Sequence, residues 1–392
     1  MFRIKTLNKI SHLGLDLFPK DKYEVADDIA NPDAILVRSA DMNQMEIPSG
    51  VMAIARAGAG YNNIPVSSCS EKGIVVFNTP GANANGVKEL ALAALLLSSR
   101  DIIGGINWTR ANAEKQDIAD LVEKEKAKFA GPEIKGKTLG IVGLGAIGVM
   151  VANDALALGM KVIGYDPFIS VDAAWNLSSS VIRADKLESL LAKADYVTLH
   201  IPQSEETKGL FDAEKFNIMK KDARLINLSR AALVNDKDVI VALESGKLNA
   251  YVTDFPTAAA ASCEKVICIP HLGASTPEAE DNCAIMAVNQ IKDFLETGSI
   301  VNSVNFARCK IDQRFPFRLL VVNRNIPNMV GQITTNLANA NINIQDLINH
   351  HRDDYGFIII DTEQQIPPSV IEQIRKVDGI IRVRTIEKQR RD

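Results

Sequence analysis

No apolar run in this sequence approaches membrane-spanning length. The longest, Leu90 to Leu97, falls far short of the ~20 residues a helix needs to cross a bilayer, so a helical membrane protein is not expected. The first residues, MFRIKTLNKI, lack a long apolar core followed by a small-residue cleavage site, and no signal peptide is expected. The five histidines form no HExxH or other ligand pattern, so no metal is expected. Cys69, Cys263, Cys268, Cys283 and Cys309 are odd in number and lack zinc-like pairs, which reads as reduced thiols in a cytoplasmic protein. A net charge of −4 gives no electrostatic reason for a nucleic acid or an anionic membrane as partner. What is there is the composition of a soluble globular chain, 46% apolar and 23% charged, whose 392 residues exceed one ordinary core. Two or three domains are expected.

The stretch Lys135 to Asp166 organises the chain. Thr138 to Val142 is a short apolar run, read as a buried parallel strand. It ends in Gly143-Leu144-Gly145-Ala146-Ile147-Gly148, a GxGxxG, and a helical pattern follows to Leu158. A second apolar run, Lys161 to Tyr165, ends on Asp166. Each part has a physical task in binding a dinucleotide. Gly143 permits the tight turn, Gly145 lets backbone approach a pyrophosphate, and Gly148 lets helix pack on strand. The helix N-terminus, Ala146 and Ile147 included, offers unpaired N–H groups to the anion. Asp166 would accept from the adenosine ribose and repel a 2′-phosphate, which favours NAD over NADP.

Before this stretch, Ala34 to Ser39, Met52 to Arg56 and Ile74 to Asn78 are strand-like runs in the alternation of a parallel sheet. The small-residue loop Arg56 to Asn63 can bring backbone N–H groups, those of Ala57 and Gly58 among them, against a carboxylate. Gly86 to about Asn107 reads as one buried helix. Lys126 and Lys128, on a charged helical stretch, are either solvated or face an anionic substrate. Further strands are expected at 196–200, 224–228, 250–253 and 266–269, with helices near 185–193, 212–219 and 236–245. In such a doubly wound sheet the ligand sits beyond the C-terminal strand ends, which places weight on Asp166, His200, Ser229, Arg230, Asp254 and His271. Residues 275–298 are helical again, and Ser299 to Phe315 reads as a connecting stretch. The last segment carries the order βαββαβ, a ferredoxin-like plan, with His350 and His351 in a loop.

Three motifs together carry a resemblance: GKTLGIVGLGAIG, Asn227-Leu228-Ser229-Arg230-Ala231 and Pro270-His271-Leu272-Gly273-Ala274-Ser275-Thr276. Over roughly residues 1–305 the chain resembles the D-2-hydroxy-acid dehydrogenases. The R-A-G-x-G-x-x-N at Arg56 to Asn63 is similar to the branch that oxidises D-3-phosphoglycerate, the first step of the phosphorylated route to serine. The last segment resembles an ACT domain, a small-molecule sensor. The implied architecture is α/β: a flavodoxin-like substrate domain (1–100 and 274–303), a Rossmann-type NAD domain (101–273), a linker (304–314) and an ACT domain (315–392).

The chemistry fits these residues. Oxidising a 2-hydroxy acid needs a base, met by His271, and a cation for carboxylate and carbonyl, met by Arg230 with its planar fork. By resemblance, Asp254 lies near the nicotinamide carboxamide, His200 and Pro202 form a turn along the cofactor beside Ser229, and Arg38, Ser39 and Arg56 face the substrate phosphate. Asn323, Asn325 and Asn343 match effector-binding positions, which implies an amino acid such as L-serine. Asn323 stands where the family often has a histidine, and Asn328 replaces a glycine. The family also places a glutamate against the histidine just after the Asp254-Phe255-Pro256 region. Here Thr257-Ala258-Ala259-Ala260-Ala261-Ser262 has no acid, so that pair is incomplete. A homo-oligomer, dimer or tetramer, is implied as well. Two other readings remain open: a dehydrogenase for another 2-hydroxy acid, and an NAD-binding regulatory protein on the same fold.

Overall fold

The computed structural model describes residues 1–388, so the end of the segment expected at 315–392 lies outside the described residues. The chain divides into two compact units, Met1–Asn83 with the chain from Glu280 onward, and Ala84–Ala279. In the first, β1 (Phe2–Leu7), β2 (Tyr23–Ala26), β3 (Ala34–Val37), β4 (Ala53–Arg56) and β5 (Val75–Phe77) form a parallel sheet in the order β2-β1-β3-β4-β5. That is the flavodoxin-like order. The two N-terminal strands were not among the sequence expectations. In β1 only Ile4 is fully buried, so the hydrophobic pattern there is faint. Leu36, Ala55 and Phe77 share a core with Ala284, Ala287, Val288 and Ile291 of the helix Pro277–Thr297.

The second unit holds β6 (Thr138–Val142), β7 (Lys161–Tyr165), β8 (Ile182–Arg183), β9 (Tyr196–Leu199), β10 (Ala223–Asn227), β11 (Leu248–Thr253) and β12 (Val266–Cys268). Their order, β12-β11-β10-β9-β6-β7-β8, is the doubly wound order of a dinucleotide-binding sheet with one strand more. The strand order reverses between β6 and β9, whose ends Val142 and Leu199 are in register. The expected single helix from Gly86 to Asn107 is two. Ala84–Ser99 buries Val87, Ala91, Ala94 and Leu95. The chain breaks at Arg100, and Asp101 caps a second helix, Ile102–Ala111, by accepting from Gly104 N–H at 2.8 Å. That second helix buries none of its residues, and Ile102, Ile103 and Ile106 stay exposed.

The C-terminal part of the first unit is antiparallel: β13 (Phe317–Arg324), β14 (Ile344–Arg352), β15 (Tyr355–Thr362) and β16 (Ile380–Glu387), in the order β14-β15-β13-β16. The period of two divides its side chains. Leu319, Val321, Ile358 and Ile360 pack under the helices Met329–Asn339 and Pro368–Arg375. Leu320, Val322, Phe357 and Ile359 join Phe77, Phe294 and Phe306 in the core of the first sheet. The stretch 304–314 is therefore packed. Phe306 and Cys309 are buried, and Asn305 accepts from Val76 N–H and donates to Ile74 O, each at 2.9 Å. His350 and His351 are not in a loop but on β14, where His350 Nδ1 lies 2.6 Å from Arg308 O. A wholly buried ion pair ties β13 to β15: Arg318 donates to both Asp361 oxygens at 2.6 and 2.7 Å, and to Thr297 O at 2.8 Å.

Candidate active site

At the switch point of the seven-stranded sheet, Gly143 takes φ +93. A Cβ there would lie 2.5 Å from His200 O, and one on Gly148 only 2.0 Å from Gly143 O. No other residue fits at either position. At Gly145 a Cβ would meet nothing within 4 Å, and the helix Ala146–Ala157 that starts there has no side-chain cap. Open space lies before a helix N-terminus with unpaired N–H groups, the arrangement a pyrophosphate needs. Asp166 is fixed by accepting from Leu144 N–H and Phe168 N–H, each at 2.8 Å. Ser229 Oγ donates to Leu199 O at 2.7 Å, and Pro202 O accepts from Thr207 Oγ1 at 2.8 Å.

Two buried polar atoms here have no partner among the described residues: His200 Nδ1 and Asp254 Oδ1. His200 Nε2 is 3.0 Å from Thr198 Oγ1, and Asp254 Oδ2 accepts from Gly273 N–H at 3.2 Å. Orphaned buried groups are rare and costly, and both fit a polar cofactor laid along these strand ends. Burial lowers the His200 ring from 6.5 to about 4, so it is neutral in the folded chain. An unfolded His200 takes up a proton below ~6.5, so the stability linked to this ring is full above that pH and is lost as pH falls towards ~4. His200→Asn should flatten this acid decline of Tm, and an unchanged slope would remove His200 as its source.

The side chains expected to react, Arg230 and His271, lie beyond the ends of β10 and β12, with Asp254 at the end of β11. Arg230 lies over the Phe255 ring at 5.7 Å and donates to Ser229 O at 2.6 Å. Phe255 and His271 have ring centroids 4.5 Å apart. One aromatic thus touches both Arg230 and His271, and nothing in its own chemistry marks it in the sequence. The stretch lacking the glutamate is a short helix, Ala258–Ala261, capped by Thr257. Asp254 lies within electrostatic reach of both His271 and Arg230, whose charges oppose the rise that burial imposes on its carboxyl. Phe255→Ala should cut kcat by about one to two orders of magnitude, because small misplacements of reacting groups are costly. NADH affinity should hold, and an unchanged kcat would show that Phe255 positions nothing.

In the other unit, the β3–β4 register pairs Val37 with Arg56, so Arg38 and Arg56 leave adjacent strand ends. Arg38 is bonded to Glu280 at 2.5 Å. The Arg56 guanidinium folds over Gly58, where a Cβ would lie 2.0 Å from its Nη1. Asn8 holds the neighbouring loop by accepting from Ser39 N–H at 3.1 Å. The backbone donors expected to face a carboxylate are spent. Ala57 N–H donates to Val37 O at 2.8 Å and Gly58 N–H to Arg56 O at 2.9 Å, because the loop closes on its own strands. Lys126 and Lys128 are also engaged, with Glu123 and Glu125 on their own helical segment.

In the antiparallel sheet, Asn323, Asn325, Asn328, Met329, Asn349 and Gly356 line a cavity of about 190 Å³. Asn323 Oδ1 is buried without a partner among the described residues, while its Nδ2 donates to Arg324 O at 2.6 Å. Asn343 does not line this cavity. It precedes Ile344, which pairs with Thr362, whereas Asn323 pairs with Gly356 at the other end of β15. The separation is about six residues of strand, ~20 Å.

Residues 92–273 match the model of the D-isomer specific 2-hydroxyacid dehydrogenase, NAD binding domain. That stretch is an NAD-binding domain of the D-isomer specific 2-hydroxyacid dehydrogenase kind. The chain is similar to a D-3-phosphoglycerate dehydrogenase of Methanocaldococcus jannaschii, 32% identical over 83% of this chain and 61% of that one. It therefore spans less than two thirds of that relative. The D-3-phosphoglycerate dehydrogenase of Haemophilus influenzae is 28% identical over 98% of this chain and 94% of its own. Among solved dehydrogenase structures, the NAD+-bound 3-phosphoglycerate dehydrogenase of Entamoeba histolytica has a TM-score of 0.61 at 26% identity, covering 78% of this chain and 98% of that one. No helix among the described residues is long and apolar enough to cross a membrane.

Proposed function

We propose that this chain oxidises D-3-phosphoglycerate to 3-phosphohydroxypyruvate with NAD, in the cytoplasm, as the first step of the phosphorylated route to serine. The observation that carries the reading is the contact of Arg230 and His271 with one ring, Phe255, at the strand ends of a dinucleotide-binding sheet. His271 takes the proton of the C2 hydroxyl. Arg230 grips the carboxylate and polarises the forming carbonyl. NAD supplies the acceptor for the C2 hydride. Its pyrophosphate is assigned to Gly143, Gly145, Ala146, Ile147 and Gly148, its ribose to Asp166, and its nicotinamide end to the orphaned atoms of His200 and Asp254. Ser229 and Pro202 complete that wall. Arg38, Ser39 and Arg56 are assigned to the substrate phosphate.

The cavity with the unpartnered Asn323 Oδ1 suits the ammonium of a small amino acid, L-serine by resemblance, with Asn325 beside it. The exposed Ile102, Ile103 and Ile106 support a homo-oligomer, since apolar patches of this kind are commonly covered. The test is NADH oxidation with 3-phosphohydroxypyruvate, with and without L-serine. Turnover preferring the phosphorylated substrate over hydroxypyruvate is expected. NADH binding without turnover on any 2-keto acid would instead establish a regulatory protein on this fold.

A further inference from the structure

The arginine assigned to the substrate phosphate already holds a carboxylate. Arg38 Nη2 donates to Glu280 Oε1 at 2.5 Å, and the two side chains are 38% and 43% exposed. Glu280 rides on the helix Pro277–Thr297. The next residue anchors that helix, because Ser11 Oγ donates to Asp281 Oδ1 at 2.5 Å. One turn on, the buried Cys283 feels the charges of Arg56, Arg38 and Glu280 together, so the three charged groups share one locus.

A guanidinium has five N–H donors and can serve two anions on different edges. Glu280 therefore need not leave for a phosphate to arrive. A phosphate monoester carries about −1.5 to −2 charges near neutral pH, and it would then lie close to a fixed negative charge. A substrate without the phosphate would meet no such opposition. Glu280 thus does two things with opposite signs: it orients Arg38, and it repels the group that Arg38 recognises.

Resting on the assignment of Arg38 to the substrate phosphate, we propose that Glu280 is a specificity-determining residue that sets, and holds down, the preference for phosphorylated over unphosphorylated 2-hydroxy acids. Its carboxylate makes the locus tolerant of smaller, singly charged substrates. The neutral isostere keeps an acceptor oxygen for Arg38 and removes only the charge.

The experiment is NADH oxidation by the full chain and its E280Q variant, with 3-phosphohydroxypyruvate and with hydroxypyruvate. E280Q should lower KM for the phosphorylated substrate about five- to tenfold, the scale of one unit charge a few ångströms away in a solvated site. The ratio of kcat/KM for the two substrates should rise by the same factor. The gain should shrink as salt is added and vanish in an Arg38→Ala background. An unchanged ratio, or a weaker KM for the phosphorylated substrate, would overturn the role of Glu280 while leaving the dehydrogenase reading intact. Inactivity of the unmodified chain on both substrates would overturn that reading and the role of Glu280 with it.

Discussion

His271→Asn should lower kcat for 3-phosphohydroxypyruvate by about two to four orders of magnitude, the usual worth of a positioned general acid or base. The imidazole is held against Phe255, 4.5 Å between ring centroids, at the start of the turn whose Gly273 N–H is bound by Asp254. Asparagine can hydrogen-bond from a similar position but cannot carry a proton to or from the substrate near neutral pH. The cofactor contacts assigned to the glycine turn and Asp166 are untouched, so NADH binding, followed by its fluorescence, should persist. A variant within about threefold of the parent would remove His271 from the proton transfer and leave Arg230 to account for the reaction. Because no acid occupies 257–262, an Asp254→Asn variant in parallel would show whether the Asp254 charge, within electrostatic reach of His271, matters to the rate.

Arg318→Met should destabilise the first unit by about 3–5 kcal/mol, the cost of leaving one member of a buried ion pair without its partner. Arg318 and Asp361 are both 0% exposed, and the guanidinium makes three hydrogen bonds at 2.6 to 2.8 Å. Methionine can fill the space, but it strands the Asp361 carboxylate and the Thr297 carbonyl. Replacing both members, Arg318→Met with Asp361→Leu, should recover most of the loss, because the uncompensated charge goes with them. Denaturant midpoints of the parent and the two variants decide the matter. A single variant that loses less than about 1 kcal/mol would mean that water reaches Asp361 once the arginine is gone.

What the sequence made legible follows from where local signals are strong. The glycine turn, Asp166 and the strand ends carrying Arg230 and His271 were readable because short buried strands are continuous apolar runs, broken by residues with one physical purpose. The order βαββαβ was readable for the same reason. Phe2–Leu7 was not, since only Ile4 on it is fully buried. The break after Ser99 was hidden because apolar residues continue through Ile102, Ile103 and Ile106, which the fold leaves exposed. His350 and His351 lie on an outer strand whose residues are mostly exposed, so register with β15, rather than alternation, makes it a strand. Phe255 and Glu280 owe their importance to neighbours distant in sequence, Arg230 and His271 for one and Arg38 for the other. No local pattern announces such a contact.

The antiparallel sheet contributes Leu320, Val322, Phe357 and Ile359 to the same core as Phe77, Phe294 and Phe306. In evolutionary terms, the segment from Phe317 onward is not a cassette. Recombination within 304–314 would carry away one wall of a shared interior and leave large aromatics facing water, an invitation to aggregate. Losing this sheet without exposing that interior would require replacing residues on both sides of the join. The two faces bury one another, and grafting a C-terminal sheet from a relative onto this chain would require transplanting the Phe294 and Phe306 surroundings as well.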